Sequence, residues 1–206
     1  QNSLPPEERA RFHYGWAVVA TVFLAQALAI GTTIYGFGLL VKPIAADHEL
    51  SRAVVNGGLM LLLLGMAMVS PFIGWMLDRL PGRLLIASGA LIFGLSCAAI
   101  AFTHSPWLMT AITLLPLAIG VQALGPLSAN TLTTRWFERN RGRALGIVSV
   151  SSSAGGLLVL PLMALLVERL GWRGAVATMG GLVALLIVPL ALFVIREPQR
   201  TLPGER

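Results

Sequence analysis

Six long stretches without a charged residue constrain the fold more than any other feature of this sequence. They run over about 15–41, 54–77, 84–103, 107–134, 144–167 and 174–195. As an α-helix, each is long enough to cross the hydrocarbon core of a bilayer, which is about 30 Å thick. A helix also satisfies its own backbone hydrogen bonds in lipid. We therefore predict an all-α integral membrane protein with six transmembrane helices.

The composition agrees with a membrane protein and excludes several other classes. Of the 206 residues, 56% are hydrophobic and 12% are charged, whereas soluble domains carry about 25% charged residues. The net charge of +6 comes from basic residues between the apolar stretches, which favours lipid headgroups over nucleic acid as the partner. The single cysteine, Cys97, lies in an apolar stretch, so we expect neither a metal site nor a cofactor. No nucleophile and base pattern indicates an enzyme.

The distribution of lysine and arginine predicts that both termini are cytoplasmic, in an inner or plasma membrane. Eleven of the 15 basic residues then face the cytoplasm: Arg9, Arg11, Arg79, Arg83, Arg135, Arg139, Arg141, Arg143, Arg196, Arg200 and Arg206. The other side keeps Lys42, Arg52, Arg169 and Arg173. This predicts a cytoplasmic tail over 1–14, a six-helix bundle over 15–195, and a tail or the start of a central linker over 196–206.

A short charged turn, GWMLDRLPGR, joins the second and third stretches. Asp78 falls at a helix C-terminus, where the helix dipole disfavours a negative charge by up to about 1 kcal/mol. Arg79 and Arg83 are the nearest candidates to compensate that charge. A solvated loop whose arginines only set the topology is the alternative. Gly74, Asp78-Arg79 and Gly82-Arg83 resemble the loop 2–3 signature of the major facilitator superfamily of secondary transporters.

The sequence also contains an internal echo. The segment 78–83 is matched by 168–173, at an offset of 90 positions, and Arg52-Ala53-Val54 is matched by Arg143-Ala144-Leu145. Because three spans separate the copies, they have opposite orientations in the membrane. This pattern predicts a 3+3 inverted repeat, as found in each half of a major facilitator fold.

Three further motifs narrow the resemblance. Tyr14 to Val19, the Arg135-Trp136-Phe137 and Arg141-Gly142 pair, and Gly171-Trp172-Arg173 together resemble the monocarboxylate transporter and oxalate:formate antiporter branch. The resemblance implies a rocker-switch carrier of small organic anions such as lactate, pyruvate, formate or oxalate. It also implies a second six-helix half, supplied either by a homodimer or by a missing C-terminal half.

The resemblance further implies where a site and a gate would lie. The cytoplasmic gate would comprise Asp78, Arg79, Arg83, Arg139, Arg141 and Arg143. No Asp, Glu, Lys, Arg or His occurs in the six stretches, so the substrate would meet neutral polar groups. The candidates are Tyr35 and Gln122, followed by Gln26, Asn130, Ser151 and Ser153. For each one, the alternative is a hydrogen bond to a neighbouring helix or to its own backbone.

Two functions remain open from the sequence. The first is a secondary active transporter, or its N-terminal half, working by alternating access. The second is a non-transporting membrane subunit or scaffold that assembles with another membrane protein, which the lack of ionisable groups in the spans favours. Solute flux across reconstituted liposomes distinguishes the two.

Overall fold

The computed structural model describes residues 6–137 and 140–195, with side chains from Tyr14 onward. Within these ranges all regular structure is helical. The helices are α1 (Pro6–Ile30), a first π-helix (Gly31–Tyr35), α2 (Phe37–Asp47), α3 (Arg52–Arg79), α4 (Gly82–Phe102), α5 (Pro106–Ile112), a second π-helix (Thr113–Leu117), α6 (Ala118–Leu124), α7 (Pro126–Trp136) and α8 (Arg141–Val194).

These helices form six spans. Span 1 comprises α1, the first π-helix and α2; span 2 is α3; span 3 is α4; span 4 runs from α5 to α7; and α8 contains spans 5 and 6. Span 1 is longer than its apolar stretch, because α1 already begins at Pro6 and α2 continues through Lys42 to Asp47. Lys42 ends the apolar stretch but does not end the helix. At the other end, Pro6 can begin α1 because proline is tolerated in the first helical turn.

Four distant parts of the chain meet at one end of the bundle, named the Tyr14 end. The Tyr14 ring centroid lies 5.4 Å from that of Trp136. The Tyr14 hydroxyl donates to the carbonyl of Val194 at 2.6 Å. Arg135 donates to the carbonyl of Leu77. The start of span 1 therefore lies beside the ends of spans 2, 4 and 6.

The opposite end, named the Asp47 end, is joined by one arginine. Arg173 donates to the Asp47 carboxylate and to the carbonyls of Ala101 and Thr103. The end of span 1, the end of span 3 and the start of span 6 therefore lie together. Since the chain passes between these two ends six times, the predicted six crossings are confirmed.

Gly171 divides the 54 residues of α8 into two spans. Its φ of 70° and ψ of 175° lie outside the helical region, and this φ favours glycine. In the described part of the chain, five helices are long and apolar enough to cross a membrane. The last of the five is the one broken at Gly171, and it accounts for two crossings.

Spans 1 and 4 are irregular within their apolar stretches. Both contain a π-helix, and Pro116 lies inside the second of them. Proline lacks the N–H of a regular helical turn. Span 4 is interrupted again at Gly125, whose ψ of -170° is extended. Pro126 follows directly, and a proline disfavours the helical conformation of the residue before it.

Close glycine contacts relate the two halves of the bundle. A Cβ added to Gly65 of span 2 would meet the backbone of Leu114 in span 4, and one added to Gly155 of span 5 would meet the backbone of Ala27 in span 1. The two glycines are 90 positions apart, which is the offset of the sequence echo. Each repeat therefore uses the same packing device.

The third pair of equivalent spans meets face to face. A Cβ on Gly94 of span 3 would lie 2.9 Å from the carbonyl oxygen of Gly180 in span 6. Direct contact between equivalent helices is expected where they flank a two-fold axis. The predicted 3+3 inverted repeat is therefore confirmed.

The spans differ in burial. In the most apolar part of span 2, 22% of the residues are buried, against 67% in span 1 and 61% in span 3. Spans 1 and 3 are thus more buried within the bundle than span 2. Span 2 instead exposes large apolar side chains, among them Met60, Met68 and Phe72. Lipid tails or a second membrane unit can cover such a surface.

We expect Gly155→Ala to destabilise the bundle by about 1–3 kcal/mol, because the methyl group would overpack the crossing of spans 1 and 5. The matched control is Gly146→Ala on the same helix, where a Cβ meets nothing within 4 Å. Thermal unfolding followed by size-exclusion chromatography in detergent would measure both. Equal midpoints for the two variants would contradict this role for the crossing.

Candidate functional site

Two glutamines predicted to line the substrate site join neighbouring spans. Gln26 Nε2 donates to Ser152 Oγ at 2.8 Å, linking span 1 to span 5. Gln122 Nε2 donates to Ser70 Oγ at 2.9 Å, linking span 4 to span 2. Gln26 is 2% exposed, and its Oε1 accepts no hydrogen bond within residues 6–137 and 140–195. Nothing in the sequence distinguishes the two serine partners from other serines of the spans.

Tyr35 is the last residue of the first π-helix and is 40% exposed. Its ring lies against span 5, where a Cβ on Gly156 would be 3.0 Å from Cδ1 of the tyrosine. Its hydroxyl makes no hydrogen bond with other described residues. Ser153, one turn before Gly156, is exposed as well. Ser151 differs, because it is fully buried and its Oγ donates to the Val148 carbonyl of its own helix at 2.6 Å.

Asn130 and Arg141 meet in a small polar pocket of about 300 Å³ between α7 and α8. Its lining comprises Asn130, Thr131, Thr134, Arg141, Leu145 and Ser149. The pocket brings together one predicted substrate-lining residue and one predicted gate residue.

A polar stripe continues from this pocket along span 5. Arg141, Leu145, Ser149 and Ser153 are spaced four residues apart, so each lies about one helical turn from the next. Ser153 in turn lies one turn before Gly156, the residue that contacts the Tyr35 ring. We name the set of Asn130, Arg141, Ser149, Ser153 and Tyr35 the polar stripe.

The predicted gate residues lie at the Tyr14 end. Asp78, Arg79 and Arg83 are exposed, and no ion pair joins Asp78 to either arginine in the described ranges. Arg79 instead places its guanidinium carbon 4.5 Å from the ring centroid of Trp75. Arg143 is exposed at the start of α8, next to Arg141, and Arg139 lies outside the described residues.

The C-terminus of span 2 is compensated from another helix. Arg135, at the end of α7, donates to the Leu77 carbonyl just before Asp78. A cation at a helix C-terminus offsets the dipole that disfavours Asp78. The turn itself therefore remains open to solvent. The turn motif in the sequence gives no indication that Arg135 is its partner, because Arg135 lies 58 positions away from Leu77.

The sequence model of the Major Facilitator Superfamily matches residues 16–206. The chain belongs to this superfamily. A mouse relative, monocarboxylate transporter 11, is 28% identical over 87% of this chain and 41% of its own length. An uncharacterized MFS-type transporter of Bacillus subtilis (strain 168), YcxA, is 24% identical over 89% of this chain and 45% of its own length.

A fungal relative, the fujikurins efflux protein of Gibberella fujikuroi, is 32% identical over 66% of this chain and 29% of its own length. The chain thus spans less than half the length of each of these relatives. The predicted superfamily is confirmed, and monocarboxylate transporters are among the members of this superfamily that are similar to this chain.

In this superfamily member, the arginine at the Asp47 end contacts a carboxylate, two backbone carbonyls and an aromatic ring. Arg173 donates from Nη2 to Asp47 Oδ2 at 2.8 Å, and from Nη1 to the carbonyls of Ala101 at 2.9 Å and Thr103 at 2.6 Å. Its guanidinium carbon also lies 4.5 Å from the ring centroid of Trp172. The hydrogen bond from Arg173 lowers the pKa of the Asp47 carboxyl below its ordinary value of 3.8. The pair is therefore ionised at neutral pH.

We expect Arg173→Ala to lower the unfolding midpoint, because it removes hydrogen bonds to Asp47 at the end of span 1 and to Ala101 at the end of span 3. Arg169→Ala is the matched control, since Arg169 is exposed and makes no ion pair in the described ranges. Thermal unfolding in lipid nanodiscs would compare them. An unfolding midpoint for Arg173→Ala that equals the control would show that the cluster does not hold the spans together.

Proposed function

We propose that this chain is the N-terminal half of a secondary active transporter for small organic anions such as monocarboxylates. The polar stripe is the observation that carries this proposal. Exposed polar side chains are unfavourable against lipid, so they favour a water-filled path or a second protein half. The names of the mammalian relatives, monocarboxylate transporters 11 and 6, support the substrate class.

The transport path would follow spans 1, 4 and 5. Tyr35 offers a hydroxyl that no described residue engages, and Asn130 offers an exposed amide. Arg141 adds a positive charge at the Tyr14 end of this path, where it attracts an anion. The buried Gln26 and Gln122 would position spans 5 and 2 rather than contact the substrate, because each bonds a serine of a neighbouring helix.

A second six-helix half would complete the site, as in twelve-helix carriers whose substrate binds at the interface of two halves. A homodimer can replace such a half, because a parallel repeat can be built from two identical copies. Native mass spectrometry in nanodiscs would distinguish a particle of two copies from one copy with another protein. The Tyr14 end would then be the cytoplasmic end, in keeping with its excess of arginine.

Rocker-switch motion would open and close the Tyr14 end. Asp78, Arg79 and Arg83 are exposed there and would contact the second half, together with the exposed Arg141 and Arg143 at the start of span 5. Charges that exchange partners between two states make such a gate bistable.

We expect Asp78→Ala to slow the uptake of labelled lactate or oxalate into liposomes while the protein still inserts and assembles, because the gate loses its carboxylate. Glu168→Ala is the matched control, since Glu168 occupies the echo position at the other end of the bundle and is also exposed. The chain is reconstituted with its second half, or as a dimer if two copies form the particle. Unchanged uptake by Asp78→Ala would argue against the gate. Absence of flux in every variant would favour the non-transporting subunit.

We expect Tyr35→Phe to raise the KM for the transported anion by about 2- to 10-fold, the effect of losing one hydrogen bond. Ser96→Ala is the control, because Ser96 is buried in span 3 and bonds only the Ile92 carbonyl of its own helix. Initial uptake rates over a range of substrate concentrations would give KM and kcat separately. A KM that matches the wild type would place Tyr35 outside the substrate path.

A further inference from the structure

A cavity of about 690 Å³ lies within this half, between spans 1, 2 and 4 and next to the Asp47 end. Its volume falls within the range of sites for drug-sized molecules. Cys97, Met163 and Val176 close it toward spans 3, 5 and 6. All of its lining belongs to this chain, and none of the lining residues belongs to the polar stripe.

The cavity is long and narrow along span 1. Its lining includes Thr33, Phe37, Leu40, Ile44 and His48, which follow one helix face at spacings of three and four residues. At a rise of about 1.5 Å per residue, this stretch is about 20 to 24 Å long. The neighbouring surface of span 2 is apolar, as illustrated by Met60, Leu61 and Leu64. The cavity therefore fits an elongated molecule with an apolar middle.

Each end of the cavity carries a buried polar atom without a partner. Thr32 is 4% exposed and the His48 side chain 7% exposed. Neither Thr32 Oγ1 nor His48 Nε2 makes a hydrogen bond with any described residue. Buried polar groups are generally satisfied, and leaving one unpaired is costly. Two such groups on one cavity point to a ligand with a hydrogen-bonding group at each end.

The two π-helices both face this cavity. The first supplies Thr32 and Thr33, and the second supplies Thr113 and Leu117. Single-turn π-helices are frequently found at functional sites. Thr33 Oγ1 donates to the Ala29 carbonyl at 2.7 Å, whereas the hydroxyl of Thr32 has no such bond. The two threonines therefore differ in what they can offer a ligand.

We infer that the cavity binds an elongated aliphatic carboxylic acid that carries a second, neutral hydrogen-bonding group at its far end. The carboxylate would lie at His48, because the unpaired Nε2 can donate to it and this end of the cavity is near the end of the bundle, where water can reach a charged group. Asp47 Oδ2 is 3.9 Å from His48 Nε2, and its charge is balanced by Arg173. The neutral group lies at Thr32, deep in the bundle.

The test uses labelled ω-hydroxyhexadecanoate and labelled hexadecanoate, which differ only in the terminal hydroxyl. The purified full chain is placed in nanodiscs, and empty nanodiscs measure partition into lipid. We expect the hydroxy acid to bind about 2- to 10-fold more tightly than hexadecanoate. Thr32→Val should abolish this preference, and Thr33→Val should keep it. Equal affinities of the wild type for both acids, or a preference that survives Thr32→Val, would overturn the inference.

A second pair of variants tests the cavity itself. A Cβ on Gly57 meets nothing within 4 Å, and Gly57 lines the cavity, so Gly57→Leu should fill it and weaken both acids. Gly181→Leu is the control, because Gly181 in span 6 has equally open space and lies outside the lining. Unchanged binding to Gly57→Leu would contradict the location.

A membrane lipid is the other source of an aliphatic chain. Native mass spectrometry would detect a bound phospholipid. The inference would be overturned if the wild type retains a phospholipid that neither acid displaces and that Gly57→Leu loses. Thr32→Val should not lower the unfolding midpoint, since its hydroxyl makes no bond with described residues and is buried without a partner. Binding is measured without transport, so failure of the proposed transport function would leave this readout intact.

Discussion

Close contact between helix backbones is the constraint on which the rest of this bundle depends. In lipid, burying an apolar side chain between helices gains little, because lipid tails are equally apolar. Association then depends on packing, which small residues at the crossings permit. Gly65 lies at the crossing of spans 2 and 4, and Gly155 lies at the crossing of spans 5 and 1. Gly94 meets Gly180 between spans 3 and 6. The interhelical bonds of Gln26 and Gln122 add modestly, since such bonds average about 0.6 kcal/mol in a membrane.

The irregular parts of the bundle lie in spans 1 and 4, which are equivalent in the inverted repeat. Each π-helix interrupts regular backbone bonding, and a membrane tolerates this only where neighbouring groups or a cavity accept the change. Both π-helices line the large cavity within this half, and the first one ends at Tyr35 on the polar stripe. The interruptions therefore supply Tyr35 to the polar stripe and Thr32 to the cavity, while the other residues of the polar stripe lie on the regular helices α7 and α8.

Much of the fold can be predicted from the sequence, because the absence of charge over long stretches is a strong signal. The same signal does not give the end of the helix, since α2 continues past Lys42 to Asp47, next to His48 on the cavity. The π-helices are not predictable from the sequence. Each has only five residues, which is too short for the spacing of apolar residues to distinguish a π-helix from an α-helix. The partners of Gln26, Gln122 and Asp47 depend on how the spans pack, which a single sequence does not record. Ser151 differs from these residues, because its hydroxyl donates only to the Val148 carbonyl of its own helix.

The junction of spans 5 and 6 restricts which amino acid can occupy position 171. At Gly171, a φ of 70° and a ψ of 175° place the backbone in the mirror image of an ordinary extended conformation. A Cβ there would meet nothing within 4 Å, so space does not require the glycine. The requirement is one of handedness: the chain reverses through a residue that must be achiral or of the opposite hand to the other amino acids.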